Sequence, residues 1–153
     1  MFSVYNLFLF LHIVGAIVWI GASLTLTLLN WRAAATNDRP AMAALARHNA
    51  FIGGAVIGPA ALLTLVAGVV MVLNARLSFG LLWISWGLGG VLLSILIGGF
   101  FVGRMGRELG RLAPTAEPGN ARVVALQRRI GILSWVNLLV LLSAEAAMVF
   151  KPV

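Results

Sequence analysis

The chain has 153 residues, of which 61% are hydrophobic and only 10% charged, with a formal net charge of +7 and no cysteine. Soluble domains are about 45–50% apolar and about 25% charged, so this much apolar side chain needs lipid as its solvent. That balance excludes a secreted globule, a disordered tail and a nucleic-acid module, and the missing cysteines exclude disulfides, thiolate metal sites and CxxC redox chemistry.

Four segments reach the roughly 20 residues that cross about 30 Å of hydrocarbon, which predicts an all-α, four-helix transmembrane bundle. The first, Val4–Asn30, has no positive charge ahead of it and is too long for a signal-peptide core, so it reads as a mature helix although Ala33-Ala34-Ala35 follows. A loop, Trp31–His48, leads to the second span, Asn49–Leu73, in which Pro59 predicts a kink. After the short Asn74–Phe79 turn comes the third span, Gly80–Val102. Arg104–Leu112 continues that helix in good helix formers until Pro114–Asn120 breaks it, and the fourth span is Ile130–Phe150. The third and fourth helices are therefore expected to leave the membrane together as a hairpin.

Nine of the eleven basic residues lie in the two long connections: Arg32, Arg39, Arg47, Arg104, Arg107, Arg111, Arg122, Arg128 and Arg129. By the positive-inside rule both connections are cytoplasmic, and both termini and the short turn face outward. The expectation is one multi-pass domain, residues 1–153, in a bacterial inner membrane, its arginines meeting anionic headgroups. The positive charge thus reports orientation and implies no nucleic acid. Small residues recur at four-residue spacing, as in Ala60, Thr64 and Gly68 or Gly90, Ser94 and Gly98. They let helices approach closely within the bundle, in a homo-oligomer or in a larger membrane complex.

An ionisable side chain in hydrocarbon costs at least about 2.5–3.5 kcal/mol and marks a functional site by default. Two lie well inside the spans, His12 and Glu145. At 100° per residue His12 shares a face with Gly15, Trp19 and Ser23, and Glu145 shares one with Ser134, Asn137 and Met148. Counted from the outer ends the two differ in depth by only ~4.5 Å, so they can meet in the outward half.

Three readings of the pair stay open. A structural His–Glu hydrogen bond would glue the first helix to the fourth. A ligand site would use the imidazole, with the thioethers of Met71 or Met148, to hold haem iron or Cu(I). In that case His12 is the metal ligand, Glu145 sets the charge or relays a proton, and Trp19 walls the pocket. A proton relay through Glu145 and His12 is the third. His48, a membrane half-thickness away, reads as interfacial, as do Trp31, Trp83, Trp86 and Trp135. No phosphate loop, dinucleotide fingerprint, HExxH or nucleophile elbow occurs.

The run Leu11-His12-Ile13-Val14-Gly15-Ala16-Ile17-Val18-Trp19-Ile20-Gly21-Ala22 resembles the first-helix signature His-x-x-Gly-x-x-x-Trp of the HemJ membrane protoporphyrinogen oxidases and the related CopD copper-resistance domains. The resemblance continues weakly through Arg47, Ile57-Gly58-Pro59-Ala60, Gly68 and Gly103-Arg104-Met105. It implies a four-helix membrane fold with haem b on His12, or copper in the CopD branch. The HemJ stretches Leu-His-x-Lys-Leu and Asn-Glu-x-Pro are replaced by Trp83-Ile84-Ser85-Trp86-Gly87 and Ile130-Gly131-Ile132-Leu133. The resemblance therefore reaches the oxidoreductase's pocket without the residues that support porphyrinogen oxidation. The rival expectation is a non-enzymatic accessory or scaffold subunit with a structural His–Glu pair.

Overall fold

Lipid offers no hydrogen bonds to a backbone, so a chain this apolar must satisfy its N–H and C=O groups within each segment. In the computed structural model, which describes residues 3–36, 38–117 and 119–152 and all their side chains except that of Arg39, it does so with helices alone. Four are long and apolar enough to cross a membrane: α1 (Val4–Ala35), α2 (Pro40–Asn74), α3 (Leu82–Leu112) and α4 (Ala121–Phe150). No strand occurs among the described residues. Polar side chains start three of them. Ser3 Oγ accepts from Asn6 N at 3.1 Å, Asp38 Oδ1 from Ala41 N at 2.9 Å, and Asn120 Oδ1 from Arg122 N at 3.0 Å.

The helices alternate in direction, which gives the bundle a terminal end, holding Val4 and Phe150, and an arginine-rich end. Helix α1 lies along α2, and α3 along α4. Missing side chains set both seams. A Cβ on Gly15 would come within 3.0 Å of the Ala60 carbonyl, and one on Gly90 within 3.1 Å of Ala144 Cβ. Helices α2 and α3 pack mainly at the arginine-rich end, where Gly110 abuts Ala46, and touch far less toward the terminal end.

Two helices widen into π turns, α2 over Gly53–Ile57 and α3 over Ile95–Val102. Pro59 has no N–H to give the carbonyl four residues back, and the kink expected there takes the form of the π segment just before it. No proline marks the π segment of α3.

The expected hairpin of the third and fourth helices is present, closed by a small core of Leu109, Ala113, Val123, Leu126 and Ile130. Pro118, part of the expected break, lies outside the described residues. The Trp31–His48 loop needs correction: α1 runs on to Ala35 and α2 begins at Arg39–Pro40, leaving a short connection around Asp38. Hydropathy read the charged stretch as loop. Its buried face of Met42, Ala43 and Ala46 makes it an amphipathic helix that continues beyond the apolar span.

Candidate functional site

Where α2 and α3 touch less, at the terminal end, a cavity of about 370 Å³ opens. His12 from α1, Met71 from α2, and Glu145 and Met148 from α4 all line it. Helix α1 supplies its histidine at the depth where α2 presents a backbone carbonyl. His12 Nδ1 donates to Thr64 O at 2.8 Å, and Thr64 Oγ1 in turn donates to Ala60 O at 2.8 Å. A carbonyl can only accept, so Nδ1 carries a hydrogen, and in the neutral ring Nε2 keeps its lone pair. Gly68 makes room for the ring, since a Cβ there would stand 3.2 Å from His12 Cε1 and Nδ1.

Glu145 lines this cavity and a smaller recess of about 250 Å³ that also includes His12, Ala16 and Gly21. Among the described residues no hydrogen bond or ion pair joins Glu145 to His12. Among the described residues the side-chain bond that holds His12 runs to α2, and no His–Glu bond ties α1 to α4. Met148 fills the dimple over Gly87, where a Cβ would collide with its methyl group. Among the described residues no three His, Asp or Glu side chains gather as a metal site. The imidazole of His12, the carboxylate of Glu145 and the thioethers of Met71 and Met148 line the cavity together with the Tyr5 phenol and the Lys151 amine.

Other residues stand where helical periodicity alone did not put them. Trp19, only 3% exposed, packs on Ala60, Ala61 and Leu141 and lines a separate cavity toward the arginine-rich end. It shares a helix face with His12 but lies two turns away. Trp83, read as a belt residue, lines the His12 cavity and carries Lys151 Nζ 5.6 Å from its ring centroid. Trp86 Nε1 donates to Ser143 Oγ at 3.3 Å, and His48 is exposed near the start of α2. Thr64, Gly68 and Gly87, which shape the site, carry no chemical signature. The Ala60, Thr64, Gly68 spacing was the one trace of the first two in the sequence.

Four apolar, membrane-length helices around paired cavities place the chain among integral membrane proteins of the helical-bundle class. More narrowly, it belongs to the family described as predicted integral membrane protein (DUF2269), whose model matches residues 6–152. No curated protein and no solved structure matches it.

Proposed function

We propose that the chain holds haem b or a copper ion on His12, in the terminal half of the bundle, for membrane redox chemistry or metal handling. One observation carries this reading. The 2.8 Å bond from His12 Nδ1 to the Thr64 carbonyl fixes the ring and its tautomer and leaves the Nε2 lone pair free for a metal. Metal-ligating imidazoles are usually held in this way, the second ring nitrogen bonded to a carbonyl or carboxylate.

The donor set favours a soft or porphyrin-bound metal. One imidazole with thioether sulfur suits haem iron or Cu(I), whereas hard cations take six or more oxygens. The cavity, about 370 Å³ and largely apolar, lies within the usual range of small-molecule sites. The bound group would supply one-electron chemistry. The chain's own part is to ligate through His12, to offer Met71 or Met148 as second ligand, and to set a carboxylate, Glu145, against the same space. There Glu145 offsets positive charge or passes a proton toward the terminal end. The first-helix resemblance to HemJ and CopD proteins supports the same histidine. With the arginines in the cytoplasm, the site belongs to the outward half of a bacterial inner membrane.

Titration of the detergent-purified protein with ferric haem and with Cu(I) tests the reading. One equivalent should bind, and His12→Ala should weaken binding by well over tenfold, more than outer-shell changes at metal sites usually cost. Equal binding by the parent and His12→Ala would overturn it. A protein that takes neither ligand is what an accessory subunit, packing its small-residue seams on partner helices, would show.

A further inference from the structure

A second cavity, of about 420 Å³, lies between Trp19 and the arginine-rich end and takes no part in the His12 reading. Among the described residues it shares no lining residue with the first. On α2 the nearest lining residues are Ala61 and Thr64, and on α3 Ser94 and Val91, so about one helical turn separates the two spaces. Trp19, packed on Ala60, Ala61 and Leu141, belongs to that partition. Both π segments line the second cavity. Irregular helix at membrane depth is tolerated where it borders a polar cavity, and π turns recur at functional sites.

Its polar groups are incompletely paired. Asn30 Nδ2 donates to Leu26 O at 2.7 Å, which orients that amide, and Asn49 Nδ2 donates to Asn30 Oδ1 at 3.3 Å. Asn49 Oδ1 is then left buried with no partner, as are Asn137 Oδ1 and Ser94 Oγ. Ser94 is 2% exposed and Asn137 7%, and both line the cavity. The two amide oxygens left like this call for a donor, and the Ser94 hydroxyl can either give or accept a hydrogen bond. Among the described residues, Arg107 is the only ionisable one in the lining. Its guanidinium folds back over Gly103, where a Cβ would stand 3.6 Å from Nη1. Helical side chains lean toward the N-terminus, and for α3 that direction runs into the bundle.

We infer that this cavity binds a small organic monoanion that carries its own hydroxyl donors, such as a hydroxycarboxylate, entering from the arginine-rich side. Arg107 holds the carboxylate, and Asn49, Ser94 and Asn137 accept from the donors. One cation, with no acidic partner among the described lining residues, selects a single negative charge. Unpaired amide oxygens select against an anion that only accepts. Because the site uses none of the His12 donors, it stands whether or not His12 holds a metal.

The cysteine-free chain allows a direct test. Ser94→Cys and, separately, Ser134→Cys place one thiol in the cavity lining. Each is treated, in phosphatidylcholine vesicles, with anionic sulfonatoethyl and cationic trimethylammonioethyl methanethiosulfonate. The anionic reagent should react faster by on the order of tenfold, and Arg107→Gln should remove that preference. Glycerate should slow the reaction at Ser134→Cys, which leaves the three proposed acceptors intact, several-fold, while propionate, of like charge but without hydroxyls, should do so far less. The inference fails if neither thiol reacts, if the cation reacts as fast as the anion, or if propionate protects as well as glycerate. Protection of the thiol from an uncharged maleimide by added phosphatidylglycerol, dependent on Arg107, would assign the anion to a lipid headgroup and also overturn it.

Discussion

His12 on α1 donates through Nδ1 to the backbone carbonyl of Thr64 on α2 across 2.8 Å, an interhelical bond at membrane depth. The acceptor is main chain, so the tie depends on how closely the two helices approach, which Gly15 and Gly68 permit. Site geometry and helix packing are therefore one property here, and several substitutions should reveal the link.

Gly68→Ala puts a Cβ 3.2 Å from the imidazole and forces the ring or the helix to shift by a few tenths of an ångström. The expected loss is about 1 kcal/mol, the net worth of one hydrogen bond, or about 2–4 °C in thermal midpoint. Haem or copper affinity should fall with it. A variant with unchanged midpoint and unchanged affinity would show that the ring is not held as described.

Gly87→Ala drives a methyl into the Met148 side chain, whose far end is flexible and can move at moderate cost. Destabilisation of about 1–2 kcal/mol is expected. Combined with Met148→Ala, its effect should be smaller than the sum of the two by at least about 0.5 kcal/mol. Strict additivity in denaturation midpoints would mean that the residues do not touch.

Trp19→Ala removes the largest side chain from the partition between the cavities. A cost of about 3–5 kcal/mol is expected, read from the unfolding midpoint in detergent. A loss under about 1 kcal/mol would place the indole outside the core.

Arg122 Nη2 approaches Glu108 Oε1 at 2.6 Å, but the two side chains are 60% and 38% exposed. Solvent screens such a pair, so Glu108→Gln should cost no more than about 0.5 kcal/mol, and less in high salt. A large, salt-independent loss would point to a role beyond this ion pair.

The four helices and the α3–α4 hairpin were legible because lipid-facing segments advertise themselves by hydropathy. So was the shared depth of His12 and Glu145, a matter of counting residues at 1.5 Å each. Placing Trp19 in the His12 pocket failed for a geometric reason. Seven residues return a side chain to the same face but advance it about 10 Å along the axis, into the next cavity. The Thr64 carbonyl could not be foreseen, since a main-chain acceptor leaves no mark in sequence. The same holds for the π segment over Ile95–Val102, where no proline announces the wider turn. The helical extension around Met42 was missed because its polar face lowers hydropathy outside the apolar span, while its buried face follows the helical period.

Cofactor content bears most directly on whether His12 is a ligand. The protein purified from its membrane should carry about one haem b or one copper per chain, by absorption spectrum and metal analysis. His12→Ala should lose that content while keeping the helical circular-dichroism signal of the parent. A helical parent without haem or copper, or a His12→Ala variant that keeps the full complement, would contradict a ligand role for this histidine.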